Sequence, residues 1–282
     1  MEKIVMTVAV GWVRKCKEVE ELLIASDSRL CGGYRWDSCP KIMCLPRNDS
    51  AIVFAGDTGY AYPLMMQTYF ASGETYQAMD RAIDISKFNG FLLSQINALQ
   101  KEVYSKAWKD DINENEFLFG GYSWKMQCFR LWRYQYNRKR KEFENQEFKL
   151  NFEDKFGKIA FAGDAKGKLQ KELIHMLKER YGENYEKFDG DGFGMEPFEA
   201  LVSLLRKTTP EDTIGGPPQL VKVYRHMNCK PIGVYWPKKE LDISKNRTLL
   251  GRKLFDKESC DFSFIDPDTC CVKKYYLEGI NR

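Results

Sequence analysis

Histidine is nearly absent from this 282-residue chain, which has two, His175 and His226. That scarcity argues against a multi-histidine metal site and an ordinary serine–histidine triad, so chemistry run by this chain needs another base. No two of its nine cysteines (Cys16, Cys31, Cys39, Cys44, Cys128, Cys229, Cys260, Cys270, Cys271) form a Cys-x-x-Cys pair. The spacing excludes a zinc knuckle, and the odd count argues for reduced thiols in a cytosol and against a disulfide framework. No apolar run approaches the ~18 residues of a membrane span. Met1-Glu2-Lys3-Ile4-Val5-Met6 offers no apolar stretch of signal-peptide length. These readings lead to an expectation of a soluble, cytoplasmic protein with no metal and no cofactor. Excess charge of one sign is missing too. With 44 basic and 40 acidic residues the net charge is +4, weak for a generic nucleic-acid binder.

What is present is material for a core: 43% hydrophobic and 14% aromatic residues. At roughly 150 residues per domain the length suggests one or two domains. Apolar, β-branched runs predict strands at Thr7–Val13, Glu21–Asp27, Lys41–Leu45 and Ser50–Ala55. Spacings of three and four predict a helix over Tyr60–Tyr69, with Pro63 in its first turn, and a longer one over Asp84–Trp108. Strands return at Phe117–Phe119 and Met126–Tyr136, the latter placing Met126, Cys128, Trp132, Tyr134 and Tyr136 on one face. A strand over Lys158–Ala162, helices over Leu169–Tyr181 and Glu196–Lys207, and a strand pair at Gln219–Tyr224 and Pro231–Tyr235 complete the pattern.

One internal echo stands out. Val53-Phe54-Ala55-Gly56-Asp57 ends a strand and starts a helix, and Ala160-Phe161-Ala162-Gly163-Asp164 does the same. Strands grouped in runs, with helices grouped between them, predict an α+β fold of two antiparallel sheets packed face to face and covered by helices on both sides.

Thr7-Val8-Ala9-Val10, Ala25-Ser26-Asp27-Ser28-Arg29, Pro40-Lys41-Ile42 and Phe54-Ala55-Gly56-Asp57 resemble, in that order, the N-terminal half of proteasome β-type subunits. These belong to the N-terminal-nucleophile hydrolases, with bacterial HslV and Anbu among them, and Ala-Ser-Asp-Ser-Arg is close to Anbu. The resemblance spans about residues 7–236 and implies a four-layer αββα sandwich, with 237–282 as a C-terminal extension. It also implies a peptide or protein substrate and a homo-oligomer, ring or helical. Whether an unfoldase serves as partner is left open, because the chain has no Gly-x-x-x-x-Gly-Lys-[Ser/Thr] phosphate loop of its own.

The chemistry the resemblance implies is specific. A threonine hydroxyl attacks poorly unless a base takes its proton. In this family that base is the threonine's own α-amine, whose reference pKa of ~7.7–8.0 leaves a useful neutral fraction near neutrality. By similarity Thr7 is the nucleophile, Lys41 polarises its hydroxyl, Asp27 orients Lys41, and the Gly56 N–H supplies the oxyanion hole. Asp164 stands where the family has a serine that assists the amine. Glu211 or Asp212 keeps the acidic role of the family's Asp-x-x-Ser-Gly-Gly, read here as Glu211-Asp212-Thr213-Ile214-Gly215-Gly216. Exposing the Thr7 amine requires removal of residues 1–6, by a start at Met6 with methionine trimming or by self-cleavage. The alternative is a catalytically inactive, proteasome-like scaffold that self-assembles.

Bland readings compete for other features. The basic Arg138-Lys139-Arg140-Lys141 is followed at once by Glu142, Glu144 and Glu147, so the charged insertion of about 137–158 reads as a solvated hairpin or helix excursion. Asp189-Gly190-Asp191-Gly192 is too short a match for a calcium loop. Cys31 and Cys39 fall where this fold places its specificity pocket.

Overall fold

The computed structural model describes residues 7–16, 19–31, 34–75, 82–104, 112–148, 158–182, 193–226, 228–237, 246–255, 258 and 263–274. The chain opens with an antiparallel hairpin of β1 (Ala9–Cys16) and β2 (Val19–Ser26), in which Ala9 faces Ser26. A small ribbon follows, β3 (Leu30–Cys31) with β4 (Arg35–Trp36), and then β5 (Ile42–Cys44) and β6 (Ser50–Ala55). Helices α1 (Thr58–Phe70) and α2 (Ile85–Leu99) lead to a meander of β7 (Glu116–Ser123), β8 (Cys128–Asn137) and β9 (Glu142–Glu147). After β10 (Ile159–Ala162) come α3 (Lys166–Tyr181) and α4 (Glu196–Arg206), then β11 (Gln219–Tyr224) and β12 (Asn228–Tyr235). Four short strands end the described chain: β13 (Arg247–Leu249), β14 (Arg252–Lys253), β15 (Ser263–Ile265) and β16 (Val272–Lys274).

The strands form two main sheets. The larger runs β10-β1-β2-β11-β12-β13-β14, with β15 and β16 joined to β12, and the smaller runs β5-β6-β7-β8-β9. Alternation along each strand sorts its side chains into layers. Val8, just before β1, and Val10 and Trp12 within it pack with Leu169, Leu173, Leu177, Phe198 and Leu201 of α3 and α4. The intervening Ala9 and Val13 pack between the sheets, with Leu22, Ile24, Val53, Leu118, Leu131 and Val221. The outer face of the smaller sheet, through Phe54, Phe117, Phe119 and Trp132, meets Leu64, Phe88, Leu92 and Ile96 of α1 and α2. Three apolar layers between four structural ones make the αββα sandwich that the sequence pattern predicts.

Several boundaries differ from the sequence reading, each for a local reason. Helix α1 starts earlier because Asp57 accepts a hydrogen bond from Tyr60 N and caps it, so Pro63 falls in the second turn, on the exposed face. Helix α2 gives way at Leu99 to a single 3-10 turn, Gln100–Glu102, after which Val103 is extended; residues 105–111 lie outside the described chain. Strand β8 begins at Cys128, leaving Met126 in an exposed turn. Within the charged insertion, β9 is a true sheet strand, paired with β8 from Trp132↔Glu147 to Asn137↔Glu142. The C-terminal extension is continuous with the larger sheet, since Thr248 of β13 pairs with Val234 and Ile265 of β15 pairs with Val234 from the other side. The loop reading for Asp189-Gly190-Asp191-Gly192 concerns residues outside the described chain.

Candidate active site

The ends of β1 and β2 bring together what their sequence separation keeps apart. Just before β1, Val8 O accepts from Asp27 N at 3.3 Å and from Ser26 Oγ at 2.8 Å, while Val8 N donates to Asp27 Oδ1 at 3.3 Å. Lys41 enters immediately before β5, from the opposite sheet. Its Nζ lies 2.7 Å from Asp27 Oδ1 and 3.5 Å from Thr7 Oγ1. Both charged side chains are 0% exposed, and Thr7 is 3% exposed. Burial pushes the Asp27 carboxyl above its ordinary range; the Lys41 ammonium and the Gly215 and Val8 N–H groups act against that shift. A buried pair of this kind contributes little net stability, yet leaves a costly orphan when one partner is lost.

The Thr7 carbonyl is fixed by the turn between β10 and α3. Ala165 N donates to Thr7 O at 3.4 Å. Gly163, with φ at +92°, lies so near that a β-carbon there would come within 2.0 Å of the same oxygen. The turn is braced from the smaller sheet: Glu116 Oε2 accepts from Gly163 N, and its Oε1 accepts from Lys166 Nζ, both at 2.8 Å. Asp164 sits on this turn with its side chain reaching solvent. Its carboxyl is pushed up first by desolvation and then by Glu116, with Lys166 acting against both.

The other half of the echo, Gly56-Asp57, lies beside this turn, since Ala55 Cβ is 3.0 Å from where a Gly163 β-carbon would sit. Gly56 has φ of +134°, and a β-carbon on it would meet Asn115 Oδ1 and Glu114 O at 2.6 Å. Both glycines are therefore required by backbone geometry and close approach. The two aspartates then part company. Asp57 caps α1, whereas α3 has Ala165 at its N-cap and no side-chain cap, so Asp164 does not serve as one.

The segment 209–216 reaches the site through its backbone. Asp212 turns its carboxylate onto Thr209 N and Oγ1, at 2.7 and 3.1 Å, and the Glu211 side chain is exposed. Among the described residues, no hydrogen bond joins either carboxylate to Thr7, Asp27 or Lys41. What the segment delivers is Gly215 N, which donates to Asp27 Oδ2 at 3.2 Å. Arg29 holds it there: Nη1 donates to the carbonyls of Thr209, Asp212 and Ile214, while Nε and Nη2 grip Asp37 at 2.6 and 2.8 Å. Cys31 Sγ donates to Thr213 O at 3.3 Å, which ties it to this segment. Cys39 is buried, and its carbonyl accepts from Gln219.

Sequence reasoning missed Arg29, Glu116 and Gln219 as parts of this arrangement. Of these only Arg29 carried a signal, its position within Ala-Ser-Asp-Ser-Arg. Among the described residues, no group of His, Cys, Asp and Glu is placed to hold a metal ion, and no helix is long and apolar enough to cross a membrane.

Two face-to-face sheets flanked by helix pairs, with a strand-end threonine beside a buried lysine and aspartate, define a proteasome-like sandwich. The solved structure of Anbu (ancestral beta-subunit) from Yersinia bercovieri is similar over 79% of this chain and 86% of that chain, with a TM-score of 0.53. Identity across the match is 13%, so the likeness is one of fold. No family model and no curated protein matches the chain by sequence.

Proposed function

We propose that this chain is a threonine-type amide or peptide hydrolase, with Thr7 acting as an N-terminal nucleophile once residues 1–6 have been removed. The observation that carries this reading is the buried Lys41 ammonium, 2.7 Å from Asp27 and 3.5 Å from the Thr7 hydroxyl oxygen. A fully buried lysine is costly, and one aimed at a hydroxyl serves to stabilise negative charge there and to keep a neighbouring amine neutral. In the proposed reaction the Thr7 amine takes the hydroxyl proton as Oγ1 attacks the substrate carbonyl carbon. In this reading the Gly56 N–H supplies the oxyanion hole. The C–N bond then breaks, the leaving amine takes the proton, and water hydrolyses the Thr7 ester. Asp164, at the solvent end of the Gly163 turn, acts on the amine, and Asp27 fixes Lys41. A proteasome-like fold further suggests self-assembly into a ring or open spiral.

The intact mass of protein made from its native transcript tests the reading. A chain starting at Thr7, labelled by an electrophilic peptide in wild type and unlabelled in Thr7→Ala, supports it. An assembled chain that retains Met1 and cleaves no peptide overturns it in favour of an inactive scaffold.

A further inference from the structure

Asp27 and Lys41 belong to different sheets, so some structure must hold their backbones in register across the sandwich. Gln219, the first residue of β11, does this with one side chain. It pairs in register with Ser26, next to Asp27, and is itself 0% exposed. Its Oε1 accepts from Lys41 N at 2.9 Å and from Ile42 N at 3.4 Å. Its Nε2 donates to Asp27 O at 3.1 Å and to Cys39 O at 2.8 Å. Both amide protons and both oxygen lone pairs are thereby used. The amide has one acceptable orientation, because a flip would aim N–H at N–H and oxygen at oxygen. No shorter or apolar side chain could serve all four backbone groups.

We propose that Gln219 is a positioning residue for the Thr7 reaction: a buried amide strut that sets the Asp27–Lys41 separation and so the place of the Lys41 ammonium relative to Thr7 Oγ1. This inference rests on the hydrolase reading above. Gln219 is fully buried and makes no hydrogen bond to Thr7 among the described residues, so its effect belongs in turnover and not in substrate affinity. Misplacement of a reacting group by about 1 Å can cost on the order of 100-fold in rate.

Two variants test it, using the full chain. Gln219→Met keeps the length and removes all four hydrogen bonds. At temperatures where the variant is folded, kcat should fall about 10- to 100-fold with KM within about twofold. Gln219→Glu can accept from Lys41 N and Ile42 N in either state, but it donates to a carbonyl only while its carboxyl is protonated; once ionised it sets an oxygen against Asp27 O and Cys39 O. The ratio of its kcat to that of wild type should therefore fall as pH rises, whereas the Met variant's ratio stays flat. Amide hydrogen exchange supplies a readout free of activity: Gln219→Met should speed exchange at Lys41 and Ile42 while core amides of β6 and β7 stay protected. Unchanged kcat in folded Gln219→Met, or unchanged exchange at Lys41 and Ile42, overturns the proposal. Should wild type show no Thr7-dependent turnover, the hydrolase reading fails, and exchange still decides whether Gln219 sets the Asp27–Lys41 geometry. If Gln219→Met does not fold, the pH-dependent ratio of Gln219→Glu decides, a flat ratio counting against the strut.

Discussion

Gly163 and Thr7 touch backbone to backbone: a β-carbon on Gly163 would sit 2.0 Å from Thr7 O and 2.8 Å from its carbonyl carbon. No flexible side-chain end can swing away to relieve that contact, and the positive φ adds strain of its own for any other residue. Gly163→Ala should therefore displace the start of β1 and abolish Thr7-dependent labelling by an electrophilic peptide. It should also lower stability by about 1–3 kcal/mol, read by urea denaturation.

The buried ion pair makes a second prediction. Lys41→Met leaves the Asp27 carboxylate without its counter-ion and should destabilise the fold by about 3–5 kcal/mol. Adding Asp27→Asn removes the orphaned charge and should recover a good part of that loss, while turnover stays absent in both variants. A double-mutant cycle by chemical denaturation measures the coupling.

Activity should follow the Thr7 amine. In the proposed mechanism the exposed Thr7 amine has a reference pKa of ~7.7–8.0, and the nearby Lys41 ammonium favours its neutral form. The protonated amine cannot accept the hydroxyl proton. Turnover should thus be full above that pKa and decline as pH falls through it, which a kcat/KM profile with a small amide substrate will read. Thr7→Ser should keep the same limb.

Asp84 offers a test of stability alone, remote from Thr7. It caps α2 through Ser86 N and also accepts from Ser123 Oγ and Lys125 N, tying the helix to the β7–β8 turn. Partial burial raises its pKa, but these hydrogen bonds outweigh that and hold the carboxyl below its ordinary range. A depressed acid stabilises the folded state above its unfolded pKa, and that contribution disappears as pH falls through the folded value. Asp84→Ala should cost about 1–2 kcal/mol at pH 7, with the gap from wild type closing below pH ~4.

Most strands were legible because their residues are buried on both faces. Ser50–Ala55 is one unbroken apolar stretch apart from its first residue, and it became β6 within its expected bounds. The same double burial hid half of β8: period two found Trp132 and Tyr134 against the helices but passed over Phe129 and Leu131, which face the other sheet. Strand β9 escaped notice because Phe143 is its only deeply buried residue. At the candidate site, Thr7, Asp27 and Lys41 were named through the family resemblance, and the structure brings their side chains within hydrogen-bond reach of one another at Lys41 Nζ. The carboxylates of Glu211 and Asp212 make no hydrogen bond to Thr7, Asp27 or Lys41 among the described residues; their segment reaches Asp27 through Gly215 N, and a backbone donor leaves no mark in residue type. Gln219 looked like any polar residue at a strand start. A buried amide can be recognised only once its four partners have been brought around it.

Strand β9 ends the smaller sheet, with Asn97 of α2 donating to Phe143 O and accepting from Phe143 N, and it carries Glu142, Glu144 and Glu147. Open strand edges invite another chain to add on, and charge along them is a common deterrent. The acidic residues that disguised this strand are thus a safeguard in a molecule with two large sheets. Charges of this kind disfavour joining copies of the chain by extension of the smaller sheet at this edge.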